Sequence, residues 1–322
     1  TGKTRTALEI LQDRYREGGA IKPTLILCPP VVVPNWKSEF KLYTDIPERK
    51  VITLTGPQID RVAKFETLLH FDPNFIAITN YEALLMDRLF NLLNHWMPEI
   101  IVADESHKIK THNAKRTKQL IKLSERARFS YVLSGTPVLN TPMDLFSQYL
   151  VMDRGKTFGQ NFFGFRNRYF IDKNANMPKH VRFPKWELQV GAIERINRSV
   201  TETSIRVRKS ECLDLPPVVK QRIEVKMLPQ QQKAYEEMKN DFITFYQSNA
   251  CVAQLALTKL LRLQQIVSGY ISFEDGGVTH FKDSERESAL KELLEELTPN
   301  HKVIVWAVFQ ENYKVIERVC KD

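Results

Sequence analysis

None of the four cysteines, Cys28, Cys212, Cys251 and Cys320, stands in C-x-x-C spacing, and no histidine cluster accompanies them. The patterns of a zinc module and of a disulfide framework are therefore missing, which suits a reducing, intracellular compartment. No apolar run approaches the roughly 18–20 residues that a bilayer span requires, and no signal-peptide pattern precedes Thr1. Internal repeats and low-complexity tracts are also lacking. What the chain does have is apolar material, 43% of 322 residues. That is enough for more than one core, since single cores stop growing near ~250–300 residues, and two domains are expected. Lys plus Arg number 47 against 38 Asp plus Glu. The resulting formal charge of +9 suits a polyanionic partner such as nucleic acid, although solubility alone also explains it.

Short apolar runs rich in β-branched residues alternate with amphipathic stretches through the first 150 residues. The runs at 24–28, 51–54, 75–79, 99–103 and 129–133 read as strands, and 4–16, 35–43, 82–94 and 114–123 as helices. Such alternation predicts an α/β fold, a parallel sheet wrapped by helices with ligands at the carboxyl ends of its strands. After Val151 the pattern changes. Residues 158–170 are aromatic and basic, 172–184 read as an exposed loop, and 186–199 return to helical spacing. The loop charges Lys173, Lys179, His180, Arg182 and Lys185 suit either phosphate contact or plain solvation. Further on, 221–227 and 302–308 read as strands, and 230–247, 250–267 and 285–297 as helices.

Three segments carry chemistry. Thr1-Gly2-Lys3-Thr4 has the ending of a phosphate-binding loop. Gly2 would let the backbone approach a phosphate, Lys3 would reach the β- and γ-phosphates of ATP, and the Thr4 hydroxyl would ligate Mg2+. An ordinary helix start is the plainer reading of so short a motif. The apolar run 100–103 ends in Asp104-Glu105-Ser106-His107. Adjacent carboxylates after a buried strand are costly unless a cation compensates them, so Asp104 is the candidate metal ligand and Glu105 the residue that orients or deprotonates water. His107 either couples this site to its surroundings or is structural. Third, 129–133 lead into Ser134-Gly135-Thr136-Pro137, where small hydroxyl residues at a strand end either bridge two sites or form an ordinary turn.

The order Gly-Lys-Thr, then Leu27-Cys28-Pro29-Pro30 with Asn35-Trp36, then Ile78-Thr79-Asn80-Tyr81-Glu82, Asp104-Glu105-Ser106-His107 and Leu133-Ser134-Gly135-Thr136-Pro137 resembles superfamily-two helicase-like ATPases. Within these it is similar to the Swi/Snf-type translocases. Lys108-Ile109-Lys110 with Asn113, Leu213-Asp214-Leu215-Pro216-Pro217 ahead of Gln230-Gln231-Gln232, Leu260-Leu261-Arg262-Leu263-Gln264-Gln265-Ile266 and Lys302-Val303-Ile304-Val305-Trp306 extend the likeness over nearly the whole chain. The resemblance implies a RecA-like ATP-binding lobe at 1–150, a helical insertion and linker at 151–204, and the start of a second RecA-like lobe with a helical protrusion at 205–322. It also implies ATP and Mg2+ as cofactors and double-stranded DNA as partner. Gly2, Lys3 and Thr4 would hold the nucleotide, Thr4 and Asp104 the metal, and Lys3, Asp104 and Glu105 the chemistry. His107, Ser134, Gly135 and Thr136 would couple hydrolysis to DNA, and Pro30, Trp36, Thr79 and Tyr81 would lie at the DNA-tracking surface.

Three departures, Ser106 for the usual Ala or Gly, Val207 between Arg206 and Arg208, and Ser268-Gly269-Tyr270 for Ser-His-Pro, suggest a divergent bacterial or viral member. The absence of an upstream glycine and strand before Thr1, and of the family's last motifs before Asp322, suggests a fragment. Since an arginine finger is worth roughly 10³–10⁵ in rate, slow turnover is expected of this length of chain. The function implied is an ATP-driven duplex DNA translocase. A strand-separating helicase and a non-catalytic nucleic-acid-binding module are the competing readings.

Overall fold

The computed structural model describes residues 2–178, 183–208, 211, 214, 216–247, 253–273, 276–281 and 284–321. They form two compact units, Thr1–Leu215 and Pro216–Asp322. In the first unit five strands, β1 (Thr24–Leu27), β2 (Val51–Leu54), β3 (Ile76–Thr79), β4 (Ile100–Asp104) and β5 (Phe129–Leu133), make one sheet in the order β2-β3-β1-β4-β5. Every pairing is parallel, with Leu27 opposite both Thr79 and Ala103, and Asp104 opposite Leu133. The expected α/β architecture is therefore present, and the strand boundaries fall within a residue of those read from the sequence.

Parallel strands covered on both faces read as near-continuous apolar runs, and β1, β3 and β4 are buried at every position. Because successive side chains point to opposite faces, each strand feeds two cores. Leu25, Leu27, Ala77, Ile101 and Ala103 meet α3 (Gln58–Phe71), α4 (Asp87–Trp96) and α5 (Lys115–Ser124) on one face. Ile26, Cys28, Ile76, Ile78, Ile100 and Val102 meet α1 (Lys3–Gly18) and α2 (Val33–Tyr43) on the other. In the first core Phe65 stands edge-on to Phe75 and Trp96, with centroids 5.5 and 5.3 Å away.

A third core joins α6 (Leu145–Asp153), α7 (Phe162–Tyr169) and α8 (Ala192–Thr201) through Phe146, Tyr149, Phe158, Phe165 and Ile196. Beside it β6 (Phe170–Asp172) pairs antiparallel with β7 (Trp186–Leu188). In the second unit the helices Pro229–Gln247, Ala253–Val267, Glu285–Leu297 and Gln310–Val319 accompany an antiparallel pair, β8 (Tyr270–Ser272) with β9 (Val278–His280). No described helix is long and apolar enough to cross a membrane.

Four expectations are corrected. The helix read over 82–94 is a 3-10 turn, Tyr81–Leu85, then α4, separated by extended backbone at Met86. Residues 186–188 form β7, and α8 starts only after Gly191, whose φ of 68° lies in the left-handed region glycine tolerates. The stretches 221–227 and 302–308 alternate as strands do but are not strands, because no neighbouring strand among the described residues completes their hydrogen-bond ladders. Ile304, Trp306 and Val308 accordingly lie exposed. Of the loop charges, Lys179, His180 and Arg182 fall outside the described residues.

Phe65 is fully buried between two aromatic partners. Phe65→Ala should cost about 3–5 kcal/mol, read as a lower denaturant midpoint at unchanged slope.

Candidate active site

β4 ends on Asp104 with its carboxylate inside the protein, 5% exposed. Oδ1 accepts the Glu105 backbone N–H at 2.9 Å and Oδ2 accepts Trp36 Nε1 at 3.0 Å. Tyr81 OH donates to the Asp104 carbonyl at 2.7 Å. Burial pushes the Asp104 pKa up, while the Trp36 indole, the Glu105 N–H and the charge of Lys3 act against that rise. Each carboxylate oxygen keeps a lone pair beyond these bonds.

Glu105 then turns the chain with φ 49° and ψ 53°, a left-handed conformation that costs a non-glycine residue about 1 kcal/mol or more. The turn is held because the Glu105 carbonyl accepts Lys108 N–H at 3.0 Å, opening the 3-10 turn Ser106–Ile109. Its side chain thereby swings from the strand end toward α1. Lys3 Nζ donates to Glu105 Oε1 at 2.8 Å, and His107 Nδ1 lies 3.2 Å from Oε2, out of line for a hydrogen bond. A Cβ added to Gly135 would stand 3.6 Å from Lys3 Nζ. Three segments far apart in sequence thus meet around one ammonium group.

α1 begins behind Gly2, whose φ of 73° is left-handed, and its first turn carries no acidic side chain. Its unpaired N–H groups and positive dipole end therefore suit an anion. Gly2, Lys3, Thr4, Arg5, Glu39 and Tyr43 line an open depression there, with the Arg5 guanidinium 4.2 Å above the Tyr43 ring. The donor set suits Mg2+, which takes one or two carboxylates and hydroxyls and leaves the rest of its shell to phosphate and water. A buried carboxylate whose pKa burial has raised is a group that a hard cation would relieve.

The structure thus brings Lys3, Glu105, His107 and Gly135 together and sets Gly2 and Thr4 at the start of α1. Ser134 Oγ accepts the Thr136 N–H at 3.1 Å, so the loop after β5 is a compact turn. The assignment of Trp36, Thr79 and Tyr81 to DNA contact is corrected. All three are at most 1% exposed. Trp36 and Tyr81 position Asp104, and Thr79 Oγ1 donates to the Leu54 carbonyl at 2.8 Å. Only Pro30 of that group is exposed. Arg61 joins the site's surroundings without any sign of it in the sequence. It is buried, its pKa is lowered by burial, and it donates to the Gly56 carbonyl at 2.7 Å and to Asn80 Oδ1 at 2.6 Å. Nothing in its sequence neighbourhood distinguishes it from a solvated helix arginine.

The parallel sheet with a phosphate-suited helix start and an acidic strand end has the architecture of a RecA-like lobe. The chain belongs to the SNF2-related domain family, whose model matches residues 1–269. It is 27% identical over its whole length to an uncharacterised ATP-dependent helicase of Mycoplasma genitalium, covering 28% of that protein. It is 29% identical over 69% of its length to the human DNA annealing helicase and endonuclease ZRANB3, covering 20% of it. A protein of Acyrthosiphon pisum secondary endosymbiont phage 1 is 26% identical over 85% of the chain, which spans 59% of that relative. The solved Sulfolobus solfataricus SWI2/SNF2 ATPase core in complex with dsDNA shares the fold, with a TM-score of 0.53 at 22% identity, over 99% of this chain and 63% of that one. The chain therefore spans less than two thirds of the length of each of these proteins.

Two outcomes follow from the geometry. Trp36→Phe keeps an aromatic ring but strips a donor from a buried carboxylate, and should lower unfolding free energy by about 1–3 kcal/mol in chemical denaturation. Cys28, fully buried beside Asp104 with its thiol pushed up to about 12, should resist iodoacetamide at pH 8 while exposed Cys320 reacts, as read by mass spectrometry of the two peptides.

Proposed function

We propose that the chain is the ATP-binding part of a motor that hydrolyses ATP with Mg2+ and uses the energy to move along double-stranded DNA inside the cell. In this reading 1–150 is the nucleotide-binding lobe, 151–204 a helical insertion with linker, and 205–322 the start of a second RecA-like lobe. The observation that carries it is the meeting of Lys3, Glu105 and Gly135 at one point. Family membership supports it, as do relatives described as helicases and the duplex bound to the Sulfolobus core.

The ion pair suggests how the residues work. Lys3 pairs with Glu105 and neutralises it. Phosphates arriving at the start of α1 compete for Lys3, and its departure frees Glu105 Oε1 to take a proton from the attacking water. Glu105 thus becomes a base only when substrate is in place. His107 stands beside Oε2 and limits how the carboxylate can turn. Thr4 and Asp104 would hold Mg2+, which supplies charge neutralisation for the phosphates. Ser134, Gly135 and Thr136 follow β5, next to β4, so a change around Lys3 reaches the loop that we assign to coupling.

ATPase assays on the intact protein, with and without blunt duplex DNA, test this. Duplex should stimulate hydrolysis without strand separation, and the stimulation should weaken steeply with salt because contacts to phosphate dominate. Glu105→Gln should cut kcat by roughly 10²–10⁴ and leave the KM for ATP nearly unchanged, whereas Lys3→Ala should weaken nucleotide binding. Efficient unwinding of a blunt duplex would favour a strand-separating helicase. Unchanged hydrolysis in Glu105→Gln would remove Glu105 from the chemistry.

A further inference from the structure

α6 carries polar side chains in a position where a helix is ordinarily apolar. Leu145, Phe146, Tyr149 and Val151 are buried, and between them Ser147 and Gln148 are buried as well, Gln148 at 2% exposure. Burying a primary amide is costly unless its donors and acceptor are all paired. Those of Gln148 are. Its Oε1 accepts Ser106 Oγ at 2.6 Å, and its Nε2 donates to the Pro137 carbonyl at 2.7 Å and to the Asp144 carbonyl at 2.8 Å.

The partners of this one side chain lie in both chemical segments. Ser106 stands between Glu105 and His107, and Pro137 directly follows Thr136. The start of α6 and the residue before it also grip the chain a few residues beyond each segment. Ser147 Oγ donates to the Lys110 carbonyl at 2.8 Å, and Asp144 Oδ2 accepts the N–H groups of Leu139 and Asn140 at 3.1 and 3.0 Å. The Ser106 hydroxyl, a departure from the small residue of the resembling ATPases, is what makes the first link possible. An alanine or glycine there has no donor to offer.

We propose that Gln148 is a positioning residue that ties the Asp104-Glu105-Ser106-His107 turn to the Ser134-Gly135-Thr136-Pro137 loop, so that a displacement of Glu105 is passed to the loop through one buried amide. This rests on the ATPase reading above. Gln148 touches neither nucleotide nor DNA in this assignment. It transmits, because a close-packed amide with every hydrogen bond made has no alternative partner if either segment moves alone.

The test compares the intact wild-type protein with Gln148→Met, which fills nearly the same space without the amide, and with Ser106→Ala, which breaks one link and keeps the other. Two measurements are made, ATPase kinetics with duplex DNA and hydrogen exchange of residues 135–140 without nucleotide. Gln148→Met should lower DNA-stimulated kcat about tenfold with the KM for ATP within about twofold, and should speed exchange in 135–140 while β4 stays protected. Ser106→Ala should shift both readouts in the same direction, and the double variant should be no worse than Gln148→Met, since a link already broken cannot be broken again. Unchanged exchange at 135–140 in folded Gln148→Met overturns the link. So does a parallel fall in kcat with and without DNA, which marks a packing role. If Gln148→Met fails to fold, Ser106→Ala decides by the same readouts. A wild type that hydrolyses no ATP defeats the functional reading and leaves the exchange measurement to judge the link.

Discussion

The arrangement depends on one carboxylate kept out of water. Asp104 ends a strand that is buried along its whole length, so its charge must be met by groups that the protein itself supplies. Trp36 from α2 and the Glu105 amide from the next residue meet the carboxylate, while Tyr81, from the turn after β3, holds the Asp104 backbone carbonyl. Burial still pushes the Asp104 pKa up against them. The metal that we propose for Asp104 would relieve such a carboxylate, and the elements that hold Asp104 are those that bury it.

The sheet converts this local demand into a site. Parallel register sets the ends of β3, β1, β4 and β5 level, so the segments that follow them leave from one edge. The left-handed turn at Glu105 then directs its side chain to Lys3 at the start of α1. The strained residue is also the one to which we assign the chemical task, and its turn is held by the Asp104 carboxylate on its N–H and by the Lys108 N–H on its carbonyl. α6 lies across the same edge and is hydrogen-bonded to the segments that follow both β4 and β5.

Much of this is legible in the amino-acid sequence. The five strands of the first unit can be read to within a residue because each is a short run rich in apolar and β-branched side chains, and Gly2, Lys3, Asp104 and Glu105 stand out because their chemistry sits in contiguous residues. The misreadings share a cause. Residues 221–227 and 302–308 have the alternation of strands, but a strand is defined by its neighbour's backbone and not by its own side chains. Motif order assigns Trp36 and Tyr81 to the DNA surface, yet each has an apolar body and one polar tip that serves Asp104 inside. Gln148 and Arg61 escape notice because a buried polar residue and an exposed one look alike in sequence.

Periodicity and motifs only a few residues long are enough to specify the order of elements, the class of fold and the candidate residues for the chemistry. Which of those residues meet is set by the packing of the whole chain. The pairing of Lys3 with Glu105 spans 102 positions and that of Ser106 with Gln148 spans 42. Contacts over such distances are set by strand register and by the packing of helices on the sheet, which no local pattern encodes.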